Sequence, residues 1–250
     1  MNSHWSEYWQ QGHTTSFGEA LSGNYEGVLK SVWEPVFSAL TEGFLVVDVG
    51  TGNGSLPLLL RDGLSKGELT GKVIGVDLAE VTLANSVSNN NQNIDIALMS
   101  NTRCEQLPFE PNSVDLYISQ FGFEYSNVEQ SLEEAARVLK NDGQFVIVCH
   151  HKRSMILNRN RRILTLIDKA EVNLLINCLA KMANAMGNIS NQEDVERIKK
   201  DLQCEQIRAE INHLIKLLVM FDESAAQDCD LMRFVAQFFK AGLFWPVAKK

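Results

Sequence analysis

Apolar positions along this 250-residue chain follow two periods, and the change from one to the other divides it. Between residues 43 and 150 they gather in short runs rich in β-branched residues, the pattern of strands covered on both faces. The runs predict strands near 44–49, 73–77, 94–99, 114–119 and 144–149, with helices between them. Beyond residue 150 the strand signal disappears. Ile163, Leu164, Ile167, Leu174, Leu175, Leu179 and Met182 recur at helical intervals up to Gly187, a residue suited to a helix C-cap. Ser190-Asn-Gln-Glu193 has capping-box spacing and should open a helix with Val195, Ile198, Leu202, Ile211, Leu214, Ile215 and Leu218 on one side. A third helix is expected from Ser224 to Lys240. After it, Leu243-Phe-Trp-Pro-Val-Ala, interrupted by Pro246, leaves room for at most one short strand. Ahead of the first strand, residues 26–40 read as a helix.

Alternating strands and helices imply an α/β fold: a Rossmann-like, doubly wound, mostly parallel sheet with helices on both faces, plus a helical C-terminal addition. Right-handed crossovers bring the strands' carboxyl ends to one edge, where ligands gather. The expected divisions are 1–42, an N-terminal arm and first helix; 43–150, the sheet core; and 151–250, the helical addition.

The sharpest chemical signal is Phe44-Leu-Val-Val-Asp-Val-Gly-Thr-Gly-Asn-Gly54, a strand running into three alternate glycines, Gly50, Gly52 and Gly54. A dinucleotide fingerprint places its third glycine three residues after the second, and here it comes after two. Asp48, just before the turn, would repel a diphosphate but could accept from an amino group or hold the loop. A ligand with positive charge and no diphosphate fits, as S-adenosylmethionine does with its sulfonium and ammonium. Lys72-Val-Ile-Gly-Val-Asp77 supplies a second strand ending in a carboxylate 27 residues after Gly50, where doubly wound folds bind ribose hydroxyls.

Charge and cysteine content narrow the picture. A net charge of −8 argues against a broad phosphate-binding surface, so nucleic acid is disfavoured as a partner. Five scattered cysteines without metal-ligand spacing read as reduced thiols, and no metal site is expected. The N-terminal stretch has no apolar core of the signal-peptide kind, and no run reaches membrane-spanning length, so a cytoplasmic location is expected.

In order and spacing the chain resembles the class I S-adenosylmethionine-dependent methyltransferases over residues 40–150. The matching pieces are the Asp48–Gly54 turn, Val-Ile-Gly-Val-Asp77, Glu105-Gln-Leu-Pro-Phe109, Asn112-Ser-Val-Asp115-Leu-Tyr-Ile-Ser119 and Ala135-Ala-Arg-Val-Leu-Lys-Asn-Asp-Gly143. The Leu-Pro-Phe segment points to a small-molecule subgroup. By this resemblance the glycine turn holds the methionine part of the cofactor, Asp77 the ribose, and Thr102 to Glu105 the adenine. The implied cofactor set is Asp48, Gly50, Thr51, Gly52, Asn53, Gly54, Asp77, Leu78, Arg103, Cys104, Glu105, Ser119 and Gln120. Two departures stand out: Arg103 and Cys104 replace the family's usual aspartate, and the closing antiparallel strand pair has little sequence to form it.

The reaction expected is in-line methyl transfer to a small-molecule acceptor. Candidate catalytic groups follow the fourth and fifth strands: Glu124, Tyr125, His150 and His151. Lys152, Arg153, Arg159, Arg161 and Arg162 could meet an anionic acceptor, or form a solvated face. Tyr8, Trp9, His13 and Phe17 lie where the family has a lid. The competing readings are a non-catalytic binding module that keeps the fold and, disfavoured by the glycine spacing, a nicotinamide-dependent oxidoreductase. Oligomeric state is not legible.

Overall fold

The computed structural model describes residues 3–18, 21, 23–64, 69–84, 93–189 and 191–242, without the side chains of Ser3, 241 and 242. It forms two compact units, Met1–His150 and His151–Lys250. In the first, five strands form one parallel sheet: β1 (Phe44–Val49), β2 (Gly71–Val76), β3 (Ile94–Met99), β4 (Val114–Gln120) and β5 (Leu139–Val148), in the order β3-β2-β1-β4-β5. Strand order reverses between β1 and β4, which opens a crevice at their carboxyl ends.

Side chains alternate across the sheet, so Phe44 and Val46 enter one core with Leu60, Val73 and Ile118, while Val47 and Val49 enter the other with Tyr117, Phe123 and Val138. Burial on both faces explains why these strands read as nearly continuous apolar runs. Helix α1 (Ser3–Gln10) and two short helices, α2 (Val28–Ser31) and α3 (Glu34–Ser38), precede β1. The single helix expected over 26–40 is thus two pieces. Helix α4 (Ser55–Gly63) follows the glycine turn and α5 (Val128–Val138) joins β4 to β5.

The expectation of a helix between every strand pair fails. Residues 100–113 cross from β3 to β4 as turns, while part of the β2–β3 connection, 85–92, lies outside the described residues. Strand β5 also begins five residues before the expected 144, with a register shift against β4 that carries Lys140-Asn-Asp-Gly143 past the ladder.

The second unit is helical: α6 (Met155–Ile167), α7 (Ala170–Met186), α8 (Gln192–Lys200), α9 (Leu202–Phe221), α10 (Glu223–Asp228) and α11 (Leu231–Gly242). Its core gathers Leu175, Leu179, Met182, Ile211, Leu214 and Leu218, residues of the expected stripes. Each expected helix is broken once. Asp201 ends α8 and caps α9, accepting from Cys204 N at 2.9 Å, while Asp222 caps α10 through Ala225 N. The α8 cap is Asn191, accepting from Asp194 N; Ser190 and the expected tail strand lie outside the described residues. Among the described residues no helix is long and apolar enough to cross a membrane, no acidic, His or Cys cluster suits a metal, and the five cysteines are unpaired.

Candidate functional site

A cavity of about 400 Å³ opens at the carboxyl ends of β1, β2 and β4, within the first unit. Gly50, Gly52 and Gly54 all have positive φ, which lets the chain double back between β1 and α4. At Gly50 the requirement is also steric, because a Cβ would stand 2.7 Å from Gly122 Cα in the loop after β4. That close approach draws the two loops together to form the cavity floor.

Two carboxylates face this floor. Asp48 is fully buried and accepts from Thr51 Oγ1 at 2.6 Å; burial pushes its pKa up to about 8, and the nearby Asp77 charge acts in the same direction. Asp77 accepts from Gly52 N at 2.8 Å and Ala79 N at 2.9 Å, and burial, outweighing these bonds, raises its pKa. Asp77 therefore ties the β2 loop to the glycine turn and still lines the cavity. Leu78, Ala79, Arg103, Cys104 and Glu105 continue the wall on that side. Burial pushes the Cys104 thiol up to about 12, so it packs as a neutral group. Glu105 accepts from Asn127 N at 2.8 Å and lies 3.6 Å from the outward-facing Arg103 guanidinium.

The Leu-Pro-Phe segment has a mechanical explanation. Glu134 Oε1 accepts from Leu107 N at 2.6 Å, while Arg137 donates to Leu107 O at 3.0 Å and Phe109 O at 2.9 Å, the two side chains pairing at 2.7 Å. Helix α5 thus clamps the loop that carries Arg103 to Glu105.

Of the expected site residues, Asp48, Gly50, Thr51, Asp77, Leu78, Arg103, Cys104, Glu105, Gln120 and Tyr125 line the cavity. Others serve it indirectly. Gly52 is covered by the Trp9 ring, which a Cβ there would meet at 2.5 Å. Asn53 turns away: Nδ2 donates to Trp9 O at 2.8 Å and His13 O at 2.9 Å, and Oδ1 accepts from Thr82 N at 3.0 Å. Gly54, in the left-handed region, starts α4. Ser119 is wholly buried, donating to Val49 O at 2.7 Å and accepting from Phe123 N at 3.0 Å, a stitch between β1 and the turn after β4.

The expected catalytic residues separate. Glu124 Oε1 accepts from His150 N at 3.1 Å and lies 2.9 Å from His150 Nδ1, but neither residue lines the cavity; His150 packs on Phe121, with ring centroids 4.4 Å apart, and Phe121 does line it. Phe121 has a φ of 59°, strain of the kind found at binding sites. His151 belongs to the second unit, where its Nδ1 accepts from Arg153 N. Three members of the basic cluster serve that unit's own structure: Arg159 pairs with Asp228, Arg162 with Asp222, and Arg161 donates to Lys152 O.

Trp5, Ser16, Tyr25, Ser55 and Leu56 also line the cavity, and no motif in the sequence marks them. Clustered aromatics in an otherwise polar N-terminus were the available signal. Trp5 and Trp9 stack at 5.9 Å, and Trp5 meets Tyr125 edge-on at 6.5 Å, so α1 adds an aromatic wall to the cavity.

Residues 47–147 match the family model of a methyltransferase domain, a span that runs from β1 into β5 and includes the Asp48–Gly54 turn, Asp77 and the clamped loop. Over this span the chain is similar to S-adenosylmethionine-dependent methyltransferases. The chain is 32% identical over 107 residues to the ubiquinone/menaquinone biosynthesis C-methyltransferase UbiE of Rickettsia prowazekii, covering 40% of this chain and 42% of that one. It is 34% identical over 103 residues to the mitochondrial arginine-hydroxylase NDUFAF5 of Rattus norvegicus, covering 41% and 27%. A solved S-adenosylmethionine-dependent methyltransferase from Aquifex aeolicus is 31% identical, covering 50% of this chain and 65% of that one, with a TM-score of 0.39. The chain spans less than half the length of these curated relatives.

Proposed function

We propose that residues 1–150 bind S-adenosylmethionine and that the protein transfers its methyl group to a small-molecule acceptor. The observation that carries this reading is the pair of buried carboxylates, Asp48 and Asp77, on the floor of a cavity built on the glycine turn. Burial holds a proton on Asp48 in the ligand-free cavity; an ammonium or sulfonium beside it would favour the charged carboxylate, whereas a diphosphate would not. Asp77 retains lone pairs for the ribose hydroxyls after accepting from Gly52 and Ala79. Leu78, Cys104 and Glu105 wall the adenine end; Asp48, Gly50, Thr51 and Gln120 face the amino-acid end. Trp5, Trp9 and Tyr125 offer aromatic faces suited to a cation.

When bound, the cofactor supplies a methyl group on a cationic sulfur, open to in-line displacement. The protein's part is to align the acceptor and exclude water, for which the aromatic wall of α1 is suited.

A second reading, cofactor binding that serves a chemistry other than methyl transfer, is favoured by the similarity to a protein named an arginine hydroxylase. Incubation with methyl-labelled S-adenosylmethionine and a panel of small acceptors separates the two. Labelled product with stoichiometric S-adenosylhomocysteine supports methyl transfer; binding with no label transferred to any acceptor supports the second reading. Failure to bind the cofactor rejects both.

A further inference from the structure

We infer that Trp33 is a positioning residue, whose indole fixes the Gln120 amide so that Gln120 Nε2 and the Tyr25 hydroxyl form a donor pair for the carboxylate of the cofactor's amino-acid end. The inference rests on the proposed cofactor reading and adds Trp33 and Tyr25, on which that reading is silent. Trp33 lies at the start of α3, with no solvent exposure, and its Nε1 donates to Gln120 Oε1 at 2.6 Å across 87 residues of sequence. An indole N–H can only donate, so the amide atom facing it must be the oxygen, and chemistry alone settles which way the amide points. Nε2, with two hydrogens, is then the atom left over.

Gln120 lines the cavity and is only 6% exposed, and its Nε2 makes no hydrogen bond of normal geometry among the described residues, although the Gln120 side chain is near enough to the Tyr25 hydroxyl to lower its pKa somewhat. A buried donor left unpaired is costly, and a ligand acceptor would complete it. Tyr25, also buried, lines the same end with Ser16 and Ser55. Burial pushes the Tyr25 hydroxyl up to about 12, so it keeps its proton at neutral pH and can donate. Asp48 is close enough to contribute to that rise. One end of the cavity thus offers an ionisable carboxylate beside two neutral donors, the complement of a group that carries an ammonium and a carboxylate on one carbon.

The test compares two ligands on the full chain by calorimetry: S-adenosylhomocysteine and its decarboxylated analogue. Gln120→Met should weaken S-adenosylhomocysteine by roughly tenfold to a hundredfold, the scale of a lost hydrogen bond to a charged group, and leave the analogue within about twofold. Gln120→Glu should weaken it more, because one oxygen still accepts from Trp33 while the other opposes the carboxylate. Trp33→Phe should show the same selectivity, and adding it to Gln120→Met should cost little more, which a purely structural role for Trp33 would not produce. Should Trp33→Phe fail to fold, the two Gln120 variants decide. Unchanged affinity in both, or equal losses for both ligands, overturns the inference; a wild-type chain that binds neither ligand removes it together with the cofactor reading.

Discussion

Asp48 is where the cost of the cavity is concentrated. In the unfolded chain its carboxyl ionises near pH 4, while in the folded protein burial delays ionisation to about 8. Between those values the folded state holds the extra proton, so stability of the ligand-free protein should fall as pH rises from about 4 to about 8. Urea unfolding at pH 5 and pH 8 should show that loss, and Asp48→Asn should flatten it; an unchanged slope would mean the buried carboxylate is not its source. Gly52 carries a different load. Alanine there would sit at a φ of 54° with its Cβ 2.5 Å from the Trp9 ring, so Gly52→Ala should cost roughly 1–3 kcal/mol and displace α1. A red shift in tryptophan emission would report it. The glycines and Asp77 are legible in sequence because the turn and the strand end announce themselves. Asn53 is not, since its partners are main-chain carbonyls of Trp9 and His13, brought back only by the folded arm.

At the scale of elements, strands are the most legible parts: β1 and β3 fall on the expected 44–49 and 94–99, β1 because nearly all of it is buried and reads as an apolar run, β3, at the sheet edge, because Ile94, Ile96, Leu98 and Met99 still mark it. The start of β5 is not, because Lys140-Asn-Asp-Gly143 has turn chemistry and is held in place by tertiary bonds such as Lys140 to Asp115 at 2.7 Å. Helix breaks are hidden for the opposite reason. Apolar periodicity runs straight through Asp201, which nevertheless stops α8 and caps α9. Asp201→Ala should remove the cap on α9 and lower the unfolding midpoint; an unchanged midpoint would show that the cap contributes nothing. The α5 clamp makes a sharper prediction. Arg137→Lys keeps the charge but cannot fork between Leu107 O and Phe109 O. Amide exchange should then quicken over residues 102–109 and S-adenosylhomocysteine affinity should drop; unaltered exchange there would show that the loop holds its shape without the clamp.

For the whole molecule, the division at His150 decides where ligand effects should appear. Every residue lining the cavity lies in the first unit. At a hundredfold excess over Kd, a cofactor that binds only the native state stabilises by about 2.7 kcal/mol. Amide protection should therefore rise at residues 44–54 and 102–109, and remain unchanged over 155–240. The fold class could be read from alternating periods, but the acceptor could not, because the histidines singled out by their place after β5 do not reach the cavity wall. The most direct measurement is a crystal structure of the full chain with S-adenosylhomocysteine. The ribose hydroxyls should lie on Asp77, the adenine between Leu78 and Cys104, and the amino group beside Asp48. An empty cavity, or a ligand whose sugar lies away from Asp77, would contradict the cofactor reading.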